Sequence, residues 1–121
     1  MRTASALTES RAVSSDLKRR VYAVIAVSPA NRDLKFCVQL RDSARGAPRA
    51  IAEGFGRFRP TEFARYLEFA RASLMETQSH IDDALDCGYV TQAGHDELMS
   101  IADRAIGATT NLHRYLRTRR K

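Results

Sequence analysis

Three histidines are the first side chains to weigh for chemistry, because imidazole can hold a metal or move a proton near neutral pH. His80 has Glu76 four residues before it and Asp83 three after it, so all three share one helical face. A di-iron bundle needs Glu-x-x-His on each of two helices. The Glu76–His80 spacing misses that pattern by one residue and no second helix supplies a partner, so an ion-paired surface histidine is expected. His95 stands beside Asp96 and Glu97, as in a solvated first turn, and His113 completes the set. Ser73 and Ser79 have no base at a fixed spacing. There is no Gly-x-Ser-x-Gly, phosphate loop, His-Glu-x-x-His or dinucleotide fingerprint. The residues therefore point away from an enzyme, with no catalytic group, metal or cofactor expected.

The acid of most interest is Glu53, set between Ala52 and Gly54 at the border of an apolar face. If buried, its carboxylate needs a partner, and Arg57 or an arginine of a neighbouring copy is expected to supply it. The surrounding Ala52-Glu53-Gly54-Phe55-Gly56 is glycine-rich, but no strand precedes it, so it reads as a helix end. Cys37 and Cys87 are fifty residues apart with no metal-like spacing. Two such cysteines cannot form a disulfide framework, so a reducing, cytoplasmic setting and two buried, inert thiols are expected. Lys18, Arg19 and Arg20, followed by apolar Val21 to Val27 and Ser28-Pro29-Ala30, imitate an export signal. The apolar run is short and seventeen polar-rich residues precede the charges, so export is not expected. No stretch approaches the roughly 20 apolar residues needed to cross a bilayer.

The elements that must position these residues are helices. The chain has 121 residues, 44% hydrophobic and 28% charged, a composition fit for one compact domain over residues 1–121. Val13, Leu17, Val21, Val24 and Val27 or Ser28 fall at helical spacing in a first segment from about Leu7 to Val27, with residues 1–6 frayed. Ser28-Pro29-Ala30-Asn31 ends it. A second helix is expected from about Arg32 to Phe55, with Leu34, Cys37, Val38, Ala44, Ala47, Ile51 and Phe55 on one face. Pro48 removes a backbone donor and should kink or reset this helix. Gly54 and Gly56 then give a stop, and Pro60 suits the first turn of the next helix. The third helix runs to Cys87 on the stripe Phe63, Tyr66, Leu67, Ala70, Leu74, Thr77, Ile81, Ala84 and Leu85, with Gly88 as its terminator. Thr91 caps a fourth helix bearing Leu98, Ile101, Ala105, Thr109, Leu112 and Leu116. Residues 118–121 are expected to be mobile. Four amphipathic helices with short links and no strand signal pack as an all-α, antiparallel up-down-up-down four-helix bundle.

Charge is segregated along this frame. Residues 1–60 carry a net +7, residues 61–103 a net −7 and residues 104–121 a net +6. In an antiparallel bundle the end of helix two, the start of helix three and the end of helix four share a pole. That pole gathers Arg49, Arg57, Arg59, Arg65, Arg114, Arg117, Arg119, Arg120 and Lys121. The other holds Asp82, Asp83, Asp86, Asp96 and Glu97. Clustered arginines suit phosphates, and Phe55 and Phe58, interleaved with Arg57 and Arg59, could stack on unpaired bases. The alternative is a solvated pole in which the cations complement helix C-termini and both phenylalanines plug the bundle end. No helix pairs a purely basic face with a bulky apolar one, so a membrane partner is not expected.

The segment Pro48-x-x-Ile51-Ala52-Glu53-Gly54-Phe55-Gly56-Arg57 resembles the proline-to-Ala-Glu-Gly-aromatic-Gly-Arg segment of the 23S rRNA intervening-sequence proteins. Glu62-Phe63, Tyr66-Leu67, Ala70, Ser73-Leu74, Glu76 and Gly88-Tyr89 are similar to that family's third helix and its Gly-Tyr exit. The resemblance covers about residues 34–117. It departs from the pattern at Ala50, where the family usually has Asn, and at Ala72, where it usually has Gly. The same group of four-helix proteins includes the accessory variability determinant of diversity-generating retroelements. The resemblance implies a ring-shaped homo-oligomer, a pentamer, whose basic surface binds RNA or DNA and whose protein partner is a reverse transcriptase. A protein-interaction scaffold without nucleic-acid binding is the alternative. Small residues in the second helix (Ala44, Gly46, Ala47, Ala50, Ala52) leave room for another backbone to approach.

Overall fold

The computed structural model describes residues 2–118, with side chains from residue 4 onward. Four helices follow one another: α1 (Arg2–Ile25), α2 (Leu34–Phe55), α3 (Pro60–Asp86) and α4 (Gln92–Arg117), with one short 3-10 turn at Ala30–Arg32 between α1 and α2. No strand occurs among the described residues. Each seam keeps an antiparallel register, shown by the pairs that cross it. Ser10 meets Thr109 and Arg20 meets Glu97 across α1–α4. Arg45 meets Tyr22 across α1–α2. Thr77 meets Ser43 across α2–α3, and Gln78 meets Asp103 across α3–α4. Helices pack chiefly against their neighbours in chain order, and α4 closes on α1. The protein is an antiparallel four-helix bundle.

The core follows the 3.6-residue period. Leu17, Val21, Leu40, Ile51, Leu67, Leu74, Ile81 and Leu112 are almost entirely buried. Truncating any of these leucines to alanine costs about 2–5 kcal/mol through lost transfer energy and the cavity left behind. The apolar run Val21 to Ile25 thus lies in the bundle's α1 face, with Val21 and Ile25 buried. Two hydroxyl pairs meet inside the core: Ser10 Oγ lies 2.7 Å from Thr109 Oγ1, and Thr77 Oγ1 lies 3.0 Å from Ser43 Oγ, with the Ser73 and Leu40 carbonyls accepting from Thr77 and Ser43. Such bonds offset the cost of burying these four hydroxyls.

Several local expectations change. α1 begins at Arg2, not Leu7, and ends at Ile25, leaving Val27 exposed. The buried face of α2 is Phe36, Cys37, Leu40, Ala44, Ala47, Ala50, Ile51 and Gly54. Leu34, Val38 and Phe55, expected on that face, are largely exposed. Asp33 caps α2 by accepting from Phe36 N–H at 3.2 Å, so the helix starts two residues later than the apolar count implies. α2 runs through Pro48 without resetting. Cys37 is buried and donates to the Ala30 carbonyl at 3.2 Å, whereas Cys87 is exposed.

Helix ends show where glycine matters. Gly88 has φ +76°. Gly88 N–H donates to Leu85 O, and Tyr89 N–H to Ala84 O, so the last carbonyls of α3 are closed by a left-handed turn. Gly54 and Gly56 do not stop α2 that way. Gly54 lies inside the helix, and Gly56 sits at φ −71°, which any residue can adopt. Gly54 is needed for space: a Cβ there would stand 2.7 Å from Tyr66 Cβ and 2.8 Å from Phe63 Cδ1. Gly46 acts in the same way earlier in α2, where a Cβ would overlap Ser73. These two glycines draw α2 and α3 together and so set the position of the turn between them.

Candidate nucleic-acid interface

The α2–α3 turn, residues 56–59, is the centre of the basic pole. Its backbone is held by Gly56 N–H to Ala52 O and Arg57 N–H to Gly54 O, each 3.1 Å. Its side-chain anchor is Arg57. The guanidinium donates to Tyr66 Oη at 2.7 Å, approaches Glu62 at 3.6 Å and lies 4.8 Å from the Tyr66 ring centroid. Arg57 is thus committed to Glu62 and Tyr66. Glu53, by contrast, is exposed and makes no ion pair or hydrogen bond among the described residues, so the expected Glu53–Arg57 bridge does not form.

Beyond Arg57 the turn presents Phe58, fully exposed at 101%. Neither phenylalanine plugs the bundle end. Phe55 is also largely exposed, packed edge-on against Phe63 at 6.1 Å and overlaid by Arg11 at 5.9 Å. Arg59 precedes Pro60 at the start of α3 and is exposed, as are Arg65 and Arg117. Arg65 and Arg117 flank a notch of about 200 Å³ between α3 and α4, lined also by Thr61, Glu68 and His113. In that notch His113 Nε2 lies 2.9 Å from Glu68, so its one carboxylate is already occupied. Arg65 lies 5.7 Å from the Phe69 ring, and Tyr66 packs edge-on against Phe69 at 5.5 Å.

The other expected basic residues are dispersed. Arg114 faces a separate groove of about 760 Å³ between α1 and α4, lined by Ser5, Glu9 and Tyr115 among others, and donates to Asn111 at 3.2 Å. Arg49 is exposed on α2, roughly 9 Å along the axis short of Phe55 at 1.5 Å per residue. Arg119, Arg120 and Lys121 lie outside the described residues. Among the described arginines and lysines only Arg20 and Arg57 pair with a carboxylate, which leaves Arg49, Arg59, Arg65 and Arg117 unneutralised.

At the opposite pole several charges are used internally. His95 bridges Asp82 at 2.7 Å and Asp96 at 2.9 Å, clamping the end of α3 to the start of α4. Those bonds raise the His95 pKa and hold the Asp96 carboxyl below its usual range. Arg20 bridges Asp16 and Glu97. Tyr89 donates to Asp33 at 2.7 Å, which pushes the phenol up to about 12. His80 sits 3.7 Å from Glu76 and makes no pair with Asp83. Among the described residues no three His, Cys, Asp or Glu side chains are grouped to hold a metal ion, and no helix is long and apolar enough to cross a membrane.

The remaining motif residues divide cleanly. Ile51 is core, Gly54 is the close crossing and Ser73 stands against Gly46. Ala52 and Glu53 are exposed and Pro48 is half-buried. Residues 9–111 match the family described as 23S rRNA-intervening sequence protein. The chain belongs to that family. For this intervening-sequence protein no match is found among curated proteins. The motif that carries the likeness therefore contributes a core residue and the glycine that seats α3, together with an exposed Ala-Glu pair. Sequence reasoning missed two features of this member of the family. The Arg65–Phe69 contact was readable as an i, i+4 pair. The Glu68–His113 bond was not, because those residues are far apart in sequence and meet only by helix packing.

Proposed function

We propose that this protein is a non-enzymatic, cyclic homo-oligomer that binds RNA or DNA electrostatically through the pole built by the α2–α3 turn and the end of α4. The observation that carries the reading is the set of unpaired cations at this end of the bundle: Arg65 and Arg117 flank one notch, and Arg59 lines the shallow concavity under the exposed Phe58 ring. An arginine without a carboxylate retains its whole field, and several on one surface attract a polyanion. A ring of parallel protomers would align these poles on one rim and multiply a weak single site. The self-association half of the proposal is supported by the outer face of α2, where Leu34, Val38 and Ala52 are exposed and the Glu53 carboxylate has no partner among the described residues. An arginine of the neighbouring protomer would complete Glu53. The ring size implied by the family resemblance is five, and a reverse transcriptase or similar enzyme is the kind of protein such an accessory factor would serve. A cytoplasmic site of action belongs to the same proposal.

Two measurements test it together. Mass in solution should be that of a ring, and a monomer would remove the assembly. Affinity for labelled oligonucleotides should fall steeply as salt rises, because each neutralised phosphate releases condensed counterions. Salt-independent affinity, or none, would remove the electrostatic site.

A further inference from the structure

Among the described residues, Phe58 is the one aromatic side chain with nothing on either face. Phe55 carries Arg11, Tyr66 carries Arg57, Phe69 carries Arg65, and Phe63 and Phe36 meet other rings. Phe58 has no such contact and is 101% exposed. It is not on a loose loop. Two backbone hydrogen bonds close the turn behind it, Arg57 ties that turn to Tyr66 and Glu62, and Pro60 opens α3 two residues later. The ring is thus presented on a rigid support, over a shallow concavity lined by Gly56, Arg57, Arg59 and Glu62. The Glu62 carboxylate there is held by Arg57.

We infer that Phe58 is a stacking platform for an unpaired nucleobase, so that the strand held at this pole is single-stranded. This rests on the nucleic-acid reading above and narrows it. In a duplex both faces of each base are covered by its neighbours, and a ring standing out from a protein surface reaches them only by unstacking a step and kinking the helix. On a single strand the faces open, and stacking on aromatic side chains beside a cationic track is the usual means of holding them. Arg59 adjoins the ring in sequence, and the Arg65–Arg117 notch lies at the same end of α3, so the cations that would take the flanking phosphates are in place. A second copy of this chain is the less favoured cover. Parallel protomers in a ring would bring one basic pole beside another, and the acidic pole lies a helix length away, roughly 40 Å for the 27 residues of α3.

The test uses the full chain and three probes: a short labelled oligothymidylate, an abasic strand of the same length, and a duplex. Phe58→Ala should weaken oligothymidylate binding by about 5- to 100-fold while affinity for the abasic strand and the duplex stays as it was. An oligouridylate arm should behave alike, since every base has a face. Phe58→Trp should restore affinity. The chain has no tryptophan, so the new indole reports directly, and its fluorescence should fall with oligothymidylate but not with the abasic strand. Equal oligothymidylate affinity in wild type and Phe58→Ala would overturn the stacking role while leaving the electrostatic site standing. Equal weakening toward all three probes would overturn it too, as a general effect on the turn. A changed mass in solution for Phe58→Ala would show that a second copy covers the ring. If the wild type binds none of the probes, both this inference and the site it rests on fall.

Discussion

The two ends of the bundle are built from the same materials and spend them differently. At the α3–α4 corner many of the charges are turned inward on each other, while Asp83 and Asp86 stay exposed. His95 joins Asp82 and Asp96, Arg20 joins Asp16 and Glu97, and Asp33 holds both the α2 N-terminus and Tyr89. That end is a set of clasps between helices. At the α2–α3 turn only Arg57 is used so, while Arg59, Arg65 and Arg117 face solvent with no carboxylate. The difference teaches how to read a charged surface. A cluster of like charges says little until its pairing is known, because a paired ion does structural work and an unpaired one keeps its reach.

The comparison can be broken most forcefully at the unpaired end. Replacing Arg59, Arg65 and Arg117 together by alanine should lower oligonucleotide affinity on the order of 10- to 100-fold at low salt, and flatten the log–log salt dependence by about 2 to 3 in slope. Arg20→Ala, at the paired end, should leave both quantities alone; an equal loss there would erase the distinction between the poles. Titration of a labelled strand at two salt concentrations decides it.

Next in size is the seat of the turn. Gly54→Ala puts a methyl against Tyr66 and Phe63, and should cost about 1–3 kcal/mol in denaturant unfolding through overpacking. Gly107→Ala should act in the opposite direction. No atom lies within 4 Å of a Cβ there, and it sits inside α4, so alanine's better helix propensity should add about 0.5–1 kcal/mol. Two glycines with the same sign of effect would refute the claim that Gly54 is present for closeness.

The smallest effect belongs to the paired end and depends on pH. His95 has a folded pKa above 6.5, so its clamp contributes fully below that value and is lost as pH rises through the raised pKa. Asp96 is depressed below 3.8, so its share is present above that value and is lost as pH falls through the lowered pKa. The window in which both are charged lies between. His95→Gln should therefore lower the melting temperature by on the order of a few degrees near pH 5, with the deficit vanishing at alkaline pH. A deficit that does not vary with pH would mean that packing of the ring, rather than its charge, ties α3 to α4.

Much of this was open to reading along the chain. The helical period of Phe63, Leu67, Leu74 and Ile81 placed α3 within a residue, and Gly88 and Thr91 marked the corner after it because each has one backbone task that few residues perform. Where α2's stripe was misread, at Leu34, Val38 and Phe55, the cause is physical. Apolar residues suit a core or an exposed contact face equally well, and periodicity alone does not say which stripe faces inward. Phe55 and Phe58 were open to stacking or to plugging for the same reason.

From its sequence alone the protein's helical class, its antiparallel order and the segregation of its charge were determined, since these depend on residue type and short spacing. Only the tertiary structure decided which charges remain free. Whether Arg57 meets Glu53 or Glu62, and whether Glu68 meets His113, depends on how α2, α3 and α4 lie against one another. That placement is set in turn by the missing side chains of Gly46 and Gly54, where two helices come closer than any Cβ would allow.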